Sequence, residues 1–479
     1  MTAFAEIKVY NTLSRSLETF KPLYGNRVFM FVCGPTVYDY SHLGHARVFV
    51  FYDTLARFLR KMGYSLFYIV NITDVDDKIV NRAREEGKHP LELAREFETY
   101  YYEDMRSLNV TSVNLYARAS DYLQEIFDQI EVLLRKNHAY VTETGVYFDI
   151  MTFPDYGKLS GQKPEDLRVH RIEPDPTKRN PGDFALWRNR PREEFGWESP
   201  WGYGRPGWHI EDTAITLKHF GKQYDIHGGA IELAFPHHEA EIAQAESYTG
   251  VKPFVKYWIH VGLLTVDGEK MSKSLGNFIT IREALRKYNA NVIRIFLLSR
   301  HYRSPLDFRW ELMDQAKSSF ERIENSYRNL IEMAELEEVT ENEEKLLSDV
   351  AILKERFFNS LRDDLNTANA LAQFFELVRV VNSYVDSVGT ITAKGKSQIT
   401  STFLELADVL GLRLESQVDI SLLKTLVSIL IDVRSILRER KEFDLADEIR
   451  SRLRDLGIEL QDTPQGTKWR IKSPYRLSQ

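Results

Sequence analysis

The 479-residue sequence contains a single cysteine, Cys33. That excludes an intrachain disulfide and any zinc finger built from paired cysteines, and it fits a reducing compartment. Long apolar runs are missing too: none approaches the about 20 residues needed to cross a bilayer. The opening MTAFAEIKVYNTLSRS lacks the basic start, apolar middle and small-residue cleavage site of a secretory signal. The expectations are no membrane association and a cytoplasmic location. There is no surplus of positive charge, the net charge being −7. This argues against nonspecific coating of nucleic acid, yet permits a local basic surface for a shaped RNA. The final KWRIKSPYRLSQ carries Lys468, Arg470, Lys472 and Arg476 without an acid, although short basic tails are more often merely solvated. Internal repeats and low-complexity tracts are absent.

What is present is enough chain for two to four domains, with 43% hydrophobic and 28% charged residues. The run VFMFV, 28–32, reads as a buried strand broken at Gly34-Pro35. Val48, Phe51, Tyr52, Leu55, Leu59 and Met62 recur at helical spacing up to Gly63, where a helix should end. SLFYIVN, 65–71, reads as a second buried strand, completing a β–α–β unit of the nucleotide-binding kind. From about 110 to 205 the alternation is interrupted by an insertion, with a helical piece near 122–137, the strand-like GVYFDI and the turn-rich EPDPTKRNPGD. It resumes with a helix near 210–220, the strand-like QYDIHGG, a helix after Pro236 and the strand-like KYWIHVG. Beyond Trp310 the pattern is helical and charged to about 415. Two amphipathic helices, 422–440 and 444–456, then precede the strand-like GIELQD and KWRIK. The expected fold is an α/β, Rossmann-type doubly wound parallel sheet over 1–310, then an α-helical bundle over 311–415 and a small α/β module over 416–479.

Two segments carry chemistry. CGPTVYDYSHLGHAR puts His42, Gly44 and His45 at the mouth of a helix, where free N–H groups and the positive dipole end favour phosphate. Gly44 permits close approach, and the histidines can donate hydrogen bonds to a phosphate as charge develops on it. Far downstream, the turn VDGE leads into KMSKS on a loop spanning 268–276, offering Lys270 and Lys273 to a departing pyrophosphate. Either segment alone has a bland structural reading. The two together, in this order around a nucleotide-binding sheet, point to an ATP-dependent adenylating enzyme.

With these signatures the chain resembles the class I aminoacyl-tRNA synthetases. The segments CGPTVYDYSHLGHAR, NITDVDDKI, DFALW, SPWGYGRPGWHIED, DIHGGAIELAFPHHEAEIAQ and KMSKSLGNF resemble the cysteinyl-tRNA synthetase family in particular, from about residue 7 to 310. DDLNTANAL and KEFDLADEIRSRLRDLGIELQDTPQGTKWR extend a looser similarity. The resemblance implies activation of cysteine by ATP with Mg²⁺ and its transfer to tRNA(Cys), by an enzyme expected to be a monomer. It places Gly34, Thr36, Gly44, Thr73, Trp208 and Lys273 among residues that bind substrate or ATP. His227, Gly229 and His260, at predicted strand ends, are candidates for adenosine contact. In the C-terminal module, read as anticodon-binding, it singles out Arg438, Asp447, Asp462 and Trp469 as tRNA contacts.

The resemblance also implies one Zn²⁺, which would take the substrate thiolate as a ligand and so separate cysteine from serine. The family's ligands are two Cys, a His and a Glu. Cys33 matches the first, and His237 and Glu241 match the last two, their i, i+4 spacing placing them on one helical face. The second cysteine is replaced, since GWHIED ends in Asp212. Three outcomes stay open: ligation by Asp212, a displaced metal on Cys33, His237 and Glu241 completed by water or Glu211, or loss of the metal. Two other functions also stay open. One is a cysteine ligase acting on a small amino sugar, which residues 311–479 argue against; the other is a nonenzymatic RNA-binding relative, which the retained His42, His45, Lys270 and Lys273 argue against.

Overall fold

The strand run at 28–32 is the middle strand of the main sheet. In the computed structural model, which describes residues 6–162, 175–271, 276–414, 417–463 and 466–471, strand β1 spans Arg27–Val32 and is followed by helix α1, Leu43–Lys61. Val48, Phe51, Tyr52, Leu55 and Leu59 are all buried on α1, as their spacing requires. The chain leaves the helix through Gly63, whose φ of 91° suits a residue without a Cβ. Strand β2, Ser65–Ile72, then returns parallel to β1. Strand β3 is Leu115–Arg118, helix α2 Trp208–Phe220, strand β4 Tyr224–Ala230, helix α3 His237–Thr249 and strand β5 Val255–Val261. The sheet order is β5-β4-β1-β2-β3 and every pairing is parallel. This is the doubly wound arrangement expected, with its order reversing between β1 and β4, where a crevice opens at the strands' carboxyl ends.

The insertion, expected from about residue 110, begins only after β3, because Leu115–Arg118 pairs with β2 as an edge strand of the main sheet; it then runs to α2. It consists of a helix, Leu123–Arg135, and a four-stranded antiparallel sheet ordered Ala139–Thr142, Gly145–Phe148, Phe184–Asn189, Gly204–Pro206. After β5 the hairpin Leu264–Val266/Glu269–Lys270 turns through Asp267 and Gly268, with φ of 52° and 81°. Two positive φ values in succession are the Asp-Gly hairpin signature. Two short helices, Ile281–Lys287 and Ala290–Leu298, are followed by four longer ones, Trp310–Glu332, Glu341–Arg362, Thr367–Ser387 and Ala393–Val409. They bury Phe320, Ile323, Phe357, Phe374, Phe403 and Leu406. One feature here was not anticipated from the helical pattern: Ala334–Leu336 and Thr390–Thr392 form a short parallel pair between helices.

The chain divides into two compact units, Met1–Leu412 and Arg413–Gln479. The second has helices Gln417–Glu439 and Phe443–Asp455 and an antiparallel hairpin, Ile458–Thr463 with Gly466–Ile471. Val427, Leu453, Ile458 and Leu460 form its small core. Among the described residues, no helix is long and apolar enough to cross a membrane.

Candidate active site

The site begins where β1 ends. The N–H of Cys33 still donates to the carbonyl of Gly228 at 3.0 Å, so the thiol emerges beside β4. The register opposes His227 to Phe31, two residues before Cys33, so alternation along the strand brings the Cys33 and His227 side chains together. Sγ of Cys33 lies 3.3 Å from His227 Nε2, 3.0 Å from His238 Nε2 and 3.3 Å from Asp212 Oδ2. Helix α2 supplies Asp212 and helix α3 supplies His237, His238 and Glu241. Nε2 of His237 is 3.0 Å from both Asp212 Oδ2 and Glu241 Oε1, and His227 Nε2 is 3.4 Å from Glu241 Oε2.

Each of these imidazoles turns Nε2 inward while something else holds Nδ1. His227 Nδ1 meets the Tyr224 hydroxyl at 2.5 Å, His237 Nδ1 meets His209 at 2.8 Å, and His238 Nδ1 meets His260 Nε2 at 2.8 Å. Outer partners of this sort fix the orientation of metal-binding histidines. Two donor sets converge with every ligand atom within 4.8 Å of the others: Cys33, Asp212, His237, Glu241 and Cys33, His227, His238, Glu241. The expected four are therefore brought together. His238, and His227 in this setting, were missed by the spacing argument, although PHHEAE carried the signal: His238 and Glu241 are i, i+3 and share a helical face just as the i, i+4 pair does. Glu211 is fully buried with neither carboxylate oxygen hydrogen-bonded, but it belongs to neither set.

The residues fit a dication. Both oxygens of Glu241 are buried without a hydrogen-bond donor, a costly condition that a cation would relieve. Burial raises the Cys33 thiol well above its ordinary value, and the charges of Asp212 and Glu241 push the same way. Burial also raises the Glu241 carboxyl, with Asp212 adding to it. A bound dication reverses this, because it favours thiolate and carboxylate together.

A cavity of about 300 Å³ runs from this cluster to the helix mouth, lined by Cys33, Gly34, Thr36, His42, Gly44, His45, Trp208, Glu232 and Lys270, among others. Trp208 stacks on His237 with ring centroids 4.1 Å apart. At the other end His42 caps α1. Its Nδ1 accepts from the N–H groups of Gly44 and His45 at 3.0 and 3.4 Å, while His45 Nδ1 accepts from the His42 N–H at 3.3 Å. With both Nδ1 atoms accepting, the neutral rings carry their protons on Nε2. Burial lowers His42 to about 4 and His45 well below its ordinary value, the latter also through His42, so both are neutral donors at pH 7. The glycine between them is required, since a Cβ at Gly44 would lie 2.7 Å from the His42 ring.

Lys270 is held by an ion pair with Glu232; Lys273 lies outside the described residues. The segment leaving the loop is stitched to the helix mouth, with Leu43 N–H donating to Ile279 O at 3.0 Å and Ile281 N–H to Ser41 O at 2.9 Å. Thr73, His227, Gly229 and His260, the other expected substrate contacts, are buried beside the cavity rather than in the wall just described.

The family model described as tRNA synthetases class I (C) catalytic domain matches residues 19–318, and the DALR domain matches residues 356–415. The cysteine–tRNA ligase of Thermococcus gammatolerans is 46% identical, covering 97% of this chain and 99% of its own. That of Heliobacterium modesticaldum is 45% identical, with the same coverage. The chain belongs to the cysteine–tRNA ligase family. Among solved structures, a putative arginyl-tRNA synthetase from Campylobacter jejuni is similar at a TM-score of 0.55 and 14% identity, covering 81% of this chain and 93% of that one. Methionyl-tRNA synthetase from Mycobacterium tuberculosis is similar at 0.56 and 15%, covering 80% and 89%. These distant likenesses speak to the fold alone, and the cysteine–tRNA ligase family shares that class I catalytic fold.

In the second unit, the residues expected to touch tRNA fall into two groups. Asp447 and Trp469 line an open groove of about 900 Å³ together with Arg450, Ser451, Arg454 and Gln461. Asp462 is instead engaged by Arg434, through two contacts of 2.9 Å, and by Arg438 at 3.1 Å. Bonds from Arg434 and Thr467, with the charges of Arg434 and Arg438, hold its carboxyl well below the usual range in spite of partial burial.

Proposed function

We infer that the protein joins cysteine to ATP, releasing pyrophosphate, and passes the cysteinyl group from the adenylate to the terminal ribose of tRNA(Cys). The observation that carries this reading is the single cavity with Cys33 and Trp208 at one end and His42, His45 and Lys270 at the other. It matches a small thiol amino acid lying against a triphosphate. In the first step the cysteine carboxylate attacks the α-phosphorus and the α–β bond breaks. The Nε2–H groups of His42 and His45 donate to the phosphoryl oxygens as charge gathers on them, and Lys270 with Lys273 neutralises the leaving pyrophosphate alongside Mg²⁺. Lys270 must exchange Glu232 for phosphate to do so. In the second step a ribose hydroxyl attacks the acyl carbon and AMP departs.

Cys33, Asp212, His237 and Glu241 would hold zinc, which supplies a soft acceptor for the substrate thiolate that a serine hydroxyl cannot match. Trp208, stacked on His237, would close over the small side chain. Residues 1–310 would do the chemistry, 311–415 form the helical link, and 416–479 read the anticodon through the Asp447–Trp469 groove and the Arg438–Asp462 pair. We place the reaction in the cytoplasm, with the protein acting as a monomer. The match to cysteine–tRNA ligases over 97% of the chain includes residues 311–479, which an amino-sugar ligase would not need. The test is aminoacylation of tRNA(Cys): charging with cysteine supports the reading, and adenylate formation without charging of any tRNA contradicts it.

A further inference from the structure

Like Glu241, Asp212 has two equivalent oxygens, but whereas both oxygens of Glu241 face histidines of the cluster, only one oxygen of Asp212 does. Its Oδ2 faces Cys33 Sγ and His237 Nε2. Its Oδ1 is taken by a residue 141 positions earlier: Nδ2 of Asn71 donates to it at 2.6 Å. Asn71 sits near the end of β2 and is 1% exposed. The direction of its amide is settled by its other contacts. Oδ1 of Asn71 accepts the N–H of Gly34 at 2.5 Å, and Nδ2 also reaches Thr73 Oγ1 at 3.3 Å. A flipped amide would set its NH₂ against the Gly34 N–H and its oxygen against the Asp212 carboxylate, losing both bonds. Gly34 can approach this closely only without a side chain, since a Cβ there would lie 1.6 Å from the Asn71 carbonyl oxygen.

We propose that Asn71 is a positioning residue that makes Asp212 a one-oxygen metal ligand. By occupying Oδ1 with a neutral donor, it turns Oδ2 toward Cys33 and His237, prevents the carboxylate from chelating through both oxygens, and partly offsets the cost of burying it. The pair does the work that a ligand with a single donor atom would do unaided. The proposal rests on the reading that the cluster holds zinc.

That dependence suggests a cycle of four proteins: the native chain, Asn71→Ala, Asp212→Cys and the double variant. The readouts are zinc affinity by competition with a chelator and the visible spectrum of the Co²⁺-substituted protein, neither of which needs catalysis. A cysteine at 212 has one donor atom and no second oxygen to restrain. Asn71→Ala should therefore weaken zinc by roughly 10- to 100-fold in the native background and by less than about 3-fold in the Asp212→Cys background, where no bond to the amide is lost. Its Co²⁺ bands should change only in the native background. Asn71→Leu keeps the side-chain size while removing the donor without adding charge, and it should weaken zinc about as much, which covers the case in which the alanine variant fails to fold. Equal losses in both backgrounds would make Asn71 a general support of the fold and overturn the proposal. Unchanged affinity in both Asn71 variants would overturn it as well, with the metal reading intact. A native protein that binds no zinc would overturn the metal reading, and this proposal with it.

Discussion

His42 has two duties that can be separated. As N-cap of α1 it accepts backbone N–H groups through Nδ1; as a cavity residue it would, on the proposed reading, offer Nε2–H to phosphate. Asparagine is among the best N-cap residues but cannot place a donor where the imidazole does. His42→Asn should therefore keep stability within about 0.5 kcal/mol, whereas His42→Ala should lose about 1 kcal/mol with the cap. Both should slow cysteine-dependent ATP–pyrophosphate exchange by on the order of 10². Denaturant midpoints and exchange rates on the same samples check this, and normal exchange by the asparagine variant would remove His42 from the chemistry. The helix-mouth end of the cavity was legible because its parts are contiguous, HLGH bringing its own backbone, while Lys273 lies outside the described residues. The metal end was legible only in part. His237 and Glu241 show a helical spacing, but the contacts of Asn71 with Asp212 and of His238 with Cys33 join residues 141 and 205 positions apart, and no local pattern marks such pairs.

Among the elements, α1 carries the largest electrostatic commitment. Asp53 is fully buried; its Oδ2 meets both the equally buried Arg294 and Arg57 at 2.8 Å, while its Oδ1 accepts the N–H groups of Thr111 and Ser112 at 3.0 Å. Burial alone would raise its carboxyl, but Arg294 and Arg57 hold it below the ordinary value. Arg294 also donates to Leu410 O at 2.8 Å and Leu108 O at 3.1 Å, tying α1 and helix Ala290–Leu298 to the end of the bundle. Arg294→Met should cost about 3–5 kcal/mol because it strands a buried carboxylate, and adding Asp53→Asn should recover part of that. Urea unfolding followed by tryptophan fluorescence gives both values; an additive, unrecovered loss would show that the pair acts through packing alone. α1, β1 and β2 were legible because each is long enough to show a pattern, α1 by its 3–4 spacing and the strands as unbroken apolar runs, whereas the four-residue strand Leu115–Arg118 carries too little pattern and fell within the expected insertion. Ala334–Leu336 and Thr390–Thr392 were not legible either, since three residues carry no period and their pairing depends on two helices packing first.

At the scale of the whole molecule, the division into two compact units would, on the proposed reading, separate making the adenylate from recognising the tRNA. A chain ending at residue 414 should retain pyrophosphate exchange near the native rate and lose aminoacylation of tRNA(Cys) by at least about 10²-fold; equal charging by the shortened chain would deny the second unit its role. Stability should depend on pH in a direction set by the buried histidines. His42 lies at about 4 in the folded chain against an ordinary 6.5, and His45 is lowered too. The unfolded chain therefore takes up protons that the folded one refuses. Their contribution is fully present above pH 6.5 and is lost as pH falls toward 4, by about 1.4 kcal/mol per pH unit for each such histidine. His42→Asn should make the decline shallower when unfolding midpoints are compared between pH 6.5 and 4.5, and an unchanged slope would contradict the burial argument. On the proposed reading one cavity pairs a thiol-selecting metal cluster with phosphate-handling histidines and Lys270. The most direct test of this pairing is ATP–pyrophosphate exchange with cysteine and serine side by side, on protein whose zinc content is measured before and after stripping by chelator. The account predicts rapid exchange with cysteine, little with serine, and loss of the cysteine signal on stripping with recovery on adding Zn²⁺; full exchange by metal-free protein, or equal exchange with serine, would contradict it.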